Sequence, residues 1–169
     1  KTDTKYYIRE LVNPKGTYLN KKVYTVKTTK DGTSKNKAVR LSTVNKPWRT
    51  RISVHKKETG TNKDLSGARF TVSRWNGSKY VTATSVGNNG VITTDSKGKA
   101  ATGWLYYTKK SQGKWRIEET EAPKGHKNNH ARKDIQINKD NAKDSEEAPL
   151  EWTVDNPLTT EYGYISVQK

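Results

Sequence analysis

Three residues of unlike chemistry fall where apolar side chains are expected. In Ile52-Ser53-Val54-His55-Lys56 apolar and polar residues alternate, so a strand there points Ile52, Val54 and Lys56 the same way. In Trp115-Arg116-Ile117-Glu118-Glu119 the same parity groups Glu119 with Trp115 and Ile117 and sends Glu118 to the other side. Leu150, Trp152, Val154 and Asn156 also alternate, which puts Asn156 on an apolar face. An amine, a carboxyl group and a carboxamide therefore face one core, where polar groups are costly without partners. They form either a buried hydrogen-bonded network or a set of strand-end side chains that reach out to water. Parity sets aside the adjacent Lys57 and Asp155. It also argues against a hydrolase with Glu118 and Glu119 as acid and base, since no second carboxylate shares the face of Glu119.

The elements that position these groups read as strands. Of 169 residues only 30% are hydrophobic, so any core is thin. Thr, Val, Tyr, Trp and Gly recur in short bursts with no useful amphipathic helical run, which favours an all-β protein of small sandwiches. Strands are expected at Tyr6–Glu10, Leu19–Thr28, Val39–Asn45, Thr50–Lys57, Ala68–Val72, Lys79–Ser85, Val91–Thr94 and Ile135–Ile137, besides those carrying Glu119 and Asn156. Pro14-Lys15-Gly16, Asp31-Gly32, Asn76-Gly77 and Asp95-Ser96-Lys97-Gly98 mark turns. No apolar run is long enough to span a membrane as a helix.

Several chemistries are excluded or disfavoured. There are no cysteines, so disulfides and thiolate metal sites are absent. His126 and His130 stand four apart, but in an Asn- and Lys-rich stretch without a third ligand; a solvated loop and no metal are expected. No phosphate loop or Ser/His/Asp pattern appears, and no cofactor is expected. The net charge of +16 is scattered along the chain. It reads first as solvated faces and second as attraction to host or wall polyanions. No recognition helix or ribonucleoprotein motif accompanies it, so specific nucleic-acid binding is not expected.

The chain also echoes itself. Glu10 and Glu119, Asn45 and Asn156, and Lys56 and Lys169 are 109, 111 and 113 residues apart, in the same order. Ile165-Ser166-Val167-Gln168-Lys169 repeats the first stretch. These markers predict tandem repeats of about 110 residues. Residues 1–47 are then the C-terminal part of a preceding repeat, 48–157 a complete domain, and 158–169 a linker and the first strand of a following repeat. Glu10, Asn45 and Lys169 become partial sites of neighbouring repeats, completed by further chain or, in a sharper version, by strand exchange with another copy.

The motifs resemble one family. Ile52-x-Val54-x-Lys56-x-Glu58, Leu65-x-Gly67-Ala68-x-Phe70, Thr94-Asp95-x-x-Gly98, Trp115-x-Ile117-x-Glu119-x-x-Ala122-Pro123-x-Gly125 and Trp152-x-Val154-x-Asn156 look like the Cna protein B-type (CnaB) domains of Gram-positive surface adhesins and SpaA-type pilins. The resemblance implies an immunoglobulin-like sandwich with an internal isopeptide bond. In its terms Lys56 is the nucleophile, Asn156 the acyl donor and Glu119 the assisting proton-transfer group. A neutral amine attacks, a protonated Glu119 hydrogen-bonds the Asn156 carbonyl, and ammonia leaves. Folding supplies proximity, which is worth about 7–11 kcal/mol of barrier in well-oriented intramolecular reactions. Such a single turnover is not enzymatic activity. His126 stands where the family has a Tyr after Pro-x-Gly, and Asn13 and Thr17 depart from the pattern in the first segment.

The function implied is a structural stalk of an adhesin or pilin on the Gram-positive cell wall, with neighbouring repeats or pilus subunits as partners. The alternative is a domain that itself binds a glycan or polyanion through Trp75, Trp104, Tyr106 and Tyr107.

Overall fold

The structure, a computed structural model, describes residues 4–28, 40–143, 149–159, 166 and 168. These residues form strands and turns without helices: β1 (Lys5–Arg9), β2 (Val23–Lys27), β3 (Arg49–Thr50), β4 (Ile52–Glu58), β5 (Arg69–Trp75), β6 (Tyr80–Thr82), β7 (Val91–Thr93), β8 (Lys99–Ala101), β9 (Leu105–Tyr106), β10 (Lys114–Glu121), β11 (Arg132–Gln136) and β12 (Leu150–Asn156). The second copy of the Ile-x-Val stretch, including Lys169, lies outside the described residues apart from Ser166 and Gln168.

Two sheets make the sandwich. One runs β12-β4-β8; the other runs β11-β10-β5-β6, with β7 also pairing β5. β12 lies parallel to β4 over seven residue pairs, Leu150↔Ile52 through Asn156↔Glu58. A short ribbon joins β3 to β9. The inner faces follow from period 2. Ile52 and Val54 of β4, Phe70 and Val72 of β5, Ile117 of β10 and Val154 of β12 are all buried. Phe70 meets Trp152 edge-on at 5.9 Å, tying one sheet to the other. Each large apolar side chain fully buried here contributes roughly 1.5–3 kcal/mol.

The turn before β8 explains why Lys56 is held where it is. Asp95 Oδ1 accepts the backbone N–H groups of Lys97 and Lys99 at 2.8 and 2.9 Å. That folds Gly98 into the left-handed region at φ +65°, and its carbonyl accepts the Lys56 N–H at 2.7 Å. A Cβ on Gly98 would stand 2.5 Å from the Lys56 carbonyl oxygen, so only glycine fits. Thr94, buried, accepts the Ala68 N–H and donates to the Leu65 carbonyl, closing the adjoining loop.

Several expected strands are shorter than the residue patterns suggest. Leu19–Thr28 narrows to β2, because the Asn20 side chain accepts the Lys22 N–H and turns the chain. Lys79–Ser85 narrows to β6, since Val86 N–H bonds Ala83 in a turn. Arg40 to Asn45 is irregular, and Val39 and Asp31-Gly32 lie outside the described residues. The strand expected at Ile135–Ile137 is β11, which begins earlier, at Arg132, ends at Gln136 and forms the edge of the larger sheet beside β10.

Before that sandwich, β1 and β2 form an antiparallel hairpin in which Tyr6 faces Val26 and Ile8 faces Tyr24. Its connection to the sandwich has a counterpart at the sandwich's far end. Thr17 N–H bonds Pro14, Tyr18 N–H bonds Lys46 and Trp48 N–H bonds Gly16; His126 N–H bonds Pro123, Lys127 N–H bonds Pro157 and Thr159 N–H bonds Gly125. The bridges Thr17↔Pro47 and His126↔Leu158 match as well.

Candidate functional site

β4, β10 and β12 bring Lys56, Glu119 and Asn156 together, and all three side chains are completely shielded from solvent. Lys56 is the bulkiest fully buried side chain in the described residues. Its Nζ contacts Asn156 Oδ1 and lies 3.2 Å from Glu119 Oε1. Asn156 Nδ2 donates to the same Glu119 oxygen at 3.0 Å. Among the described residues Glu119 Oε2 has no hydrogen-bond partner. The snorkelling alternative is therefore excluded: the three form a closed buried network. Burial pushes the Lys56 ammonium below its ordinary pKa, and the neighbouring Glu119 carboxylate opposes that only in part.

One detail differs from the sequence expectation. Glu119 faces the amide nitrogen of Asn156 and not its carbonyl oxygen. A single carboxyl oxygen thus stands between two nitrogens, the lysine's and the amide's. A bulge between Glu119 and Glu121 in the β10–β5 ladder sits beside it, where the strand leaves its register. Parity holds for the neighbours. Lys57 turns out to Asp64 at 3.2 Å, and Asp155 is exposed. Glu118 lies on the outer face opposite Arg132, so the pair of adjacent glutamates forms no joint site.

In the first segment, Glu10 and Asn45 also meet. Asn45 Nδ2 donates to both Glu10 oxygens at 2.8 Å and to the Tyr18 carbonyl at 3.1 Å. Both residues are half-buried, in contrast to Glu119 and Asn156.

His126 corrects the expectation of a solvated loop. Its Nε2 lies 2.9 Å from Glu58 Oε2 and its Nδ1 3.0 Å from the Lys124 carbonyl, with both the His126 and Glu58 side chains nearly buried. Thr61 adds a hydrogen bond to the other Glu58 oxygen at 2.8 Å. His126 first, then Thr61, hold the Glu58 carboxyl below its ordinary pKa. His130 is exposed, and no cluster of metal-ligating side chains occurs among the described residues. The aromatic set proposed for ligand binding also divides. Trp104 is covered by the Arg49 and Arg51 guanidinium groups, 3.8 and 4.6 Å above its ring. Tyr107 packs edge-on against Trp48 at 5.8 Å. Tyr106 is 41% exposed, and Trp75 is half-buried on the outer face of the larger sheet.

The architecture is that of an all-β, immunoglobulin-like sandwich. Residues 50–148 match the SpaA prealbumin-like fold domain, and the chain belongs to that family. Among solved structures it is similar to the Bacillus anthracis TIE protein, at 20% identity and a TM-score of 0.68 over 92% of this chain. It is similar to a streptococcal ancillary pilin, at 19% identity and 0.50 over 93%. A third likeness is to the full-length major pilin SpaD of Corynebacterium diphtheriae, at 18% identity and 0.51 over 67%. The chain spans only 25%, 42% and 31% of those three proteins. No curated protein matches the sequence.

Proposed function

We propose that this chain is a shaft segment of a Gram-positive cell-surface adhesin or pilus, closed by an isopeptide bond that Lys56 and Asn156 form without an external catalyst. The observation that carries this reading is the fully buried trio with one Glu119 oxygen between two nitrogens. In the buried site Lys56 passes a proton to Glu119 Oε1 and becomes a neutral amine. Its Nζ then attacks Asn156 Cγ. The new Nζ–Cγ bond forms and the Cγ–Nδ2 bond breaks; Glu119 gives its proton to Nδ2, which leaves as ammonia, and takes up the second proton that Nζ loses, ending protonated. Nζ contacts the amide oxygen, next to the carbon it would attack, which supports the proximity such a step needs.

The parallel pairing of β4 and β12 supports a load-bearing role. Tension entering before Ile52 and leaving after Asn156 would shear that seven-pair ladder if nothing else joined the strands. With the bond in place, load runs along β4 to Lys56, crosses to Asn156 and leaves. The strands between them stay unloaded. The recurrence of the same three backbone bonds at both ends of the sandwich supports tandem repeats along one chain, with the divisions 1–47, 48–157 and 158–169. In this reading Glu10 and Asn45 belong to the preceding repeat and Lys169 to the following one.

Intact mass tests the chemistry. The purified chain is expected to weigh one ammonia less than its sequence, and Lys56→Ala or Asn156→Ala to restore the full mass. An unmodified mass from folded wild-type protein overturns the bond.

A further inference from the structure

The outer face of the larger sheet carries a cluster that the shaft reading leaves unused. Trp75 and Tyr80 are direct cross-strand partners on β5 and β6, with rings edge-on at 5.3 Å. Beside them on β10, Arg116 lies 4.0 Å over the Tyr80 ring and Lys114 5.4 Å over the Trp75 ring. Asp134 on β11 fixes the Arg116 guanidinium through two bonds of 2.7 and 2.9 Å. Gln136 spends its amide hydrogens on the Gln112 and Ile137 carbonyls, which leaves its side-chain oxygen as an acceptor. Together these six side chains line an open groove of ≈ 350 Å³.

The charges in this groove are unequal. Asp134 is committed to Arg116. The Lys114 ammonium has an aromatic ring beneath it and no carboxylate partner among the described residues. Aromatic faces favour the C–H faces of a sugar ring, planar Asp, Gln and Arg groups favour its hydroxyls, and unpaired cations favour an acid. The protein's charge of +16 draws anionic polymers toward it.

We propose that this groove is a binding site for an acidic glycan, with a sugar ring on Trp75 and its carboxylate or sulfate at Lys114. The site sits on the side of the sandwich, away from the buried trio. A shaft repeat can use it to hold a surface polysaccharide laterally, and the proposal stands whether or not the isopeptide bond forms.

The test is calorimetry and amide-shift mapping on the whole chain, with hyaluronan hexasaccharide, a heparin-derived hexasaccharide, maltohexaose and an inorganic polyphosphate of matched charge as probes. At least one acidic hexasaccharide is expected to bind, shifting amides of β5, β6 and β10, and to weaken as salt is raised. Lys114→Gln and Trp75→Ala are each expected to weaken it about tenfold or more, with Trp75→Phe recovering part of the loss. Thermal melts confirm that each variant is folded. Absence of binding by both acidic sugars overturns the proposal. So does binding that neither variant changes, which would mean scattered surface cations. Equal binding of maltohexaose removes the need for an acid, and equal binding of the polyphosphate removes the need for a ring; either result overturns it too.

Discussion

Replacing Lys56 with Met separates the crosslink from the packing. Methionine keeps most of the unbranched volume of the lysine side chain, removes the amine, and leaves the Asn156–Glu119 hydrogen bond in place. Volume-conserving core swaps cost under about 1.5 kcal/mol. The proposed crosslink would join residues 100 positions apart. A covalent link closing a loop of roughly 100 residues restricts the unfolded chain by about 4.7 kcal/mol in the chain-entropy treatment of disulfides. At roughly 4 °C per kcal/mol for a domain of this size, Lys56→Met should lower Tm by about 20 °C. The swap alone accounts for at most about 6 °C on the same scale. Calorimetry on wild type and variant, each with intact mass measured on the same sample, makes the comparison. A wild type lighter by one ammonia with a variant melting within about 6 °C of it would refute the energetic reasoning. A wild type at full mass would refute the bond itself.

Further outcomes follow from the neighbouring groups. Glu119→Gln keeps the shape of the network but cannot relay protons; bond formation followed by time-resolved mass after refolding should slow by about 10²–10⁴-fold, and formation at the wild-type rate would remove Glu119 from the chemistry. His126→Ala should lower stability at neutral pH and flatten its acid limb. The Glu58 carboxyl is held below its unfolded value, so its contribution is complete above about pH 4.3 and is lost as pH falls through the lower folded pKa. Melts across that range should converge for wild type and variant, and parallel curves would exclude the pair as the cause. Gly16→Ala should loosen the contact between the first segment and the sandwich. Gly16 has φ +84°, and a Cβ there would stand 2.0 Å from the Tyr107 ring, whereas Gly125 has similar φ and open space around it. Hydrogen exchange at the Trp48 amide should rise in Gly16→Ala and not in Gly125→Ala; equal responses would mean backbone strain alone is at work.

Much of the buried trio was legible because a strand's parity is local. Two apolar residues before Lys56, Glu119 or Asn156 suffice to fix the face, and the same rule puts Lys57, Glu118 and Asp155 on the outer face, where the structure has them. The motif spacing around Thr94, Asp95 and Gly98 was equally readable, since each residue there meets a backbone demand within a few positions. What parity cannot give is the partner across space. His126 lies 68 residues from Glu58, and nothing in its polar surroundings announces a buried acid. Trp104 looked exposed because the two arginines that cover it come from far along the chain, Arg49 in β3 and Arg51 in the link to β4. A strand was legible at Ile135–Ile137 but not its start at Arg132, because an edge strand with one solvent face needs few apolar residues; only Ile135 of the five positions of β11 is buried.

The orientation of Glu119 was the furthest from reach, and it changes the chemistry most. Parity says that a carboxyl group and a carboxamide share a core, but not which end of the amide the acid meets. Had Glu119 faced the Asn156 carbonyl, its role would be to polarise the electrophile, and the lysine would have to lose its proton elsewhere. In the arrangement found, Glu119 Oε1 lies 3.2 Å from Lys56 Nζ and 3.0 Å from Asn156 Nδ2, the attacking and leaving nitrogens of the proposed reaction. The lysine's proton and the leaving group's proton can then be the same proton. That economy suits a site shielded from solvent, with no second acid in contact among the described residues.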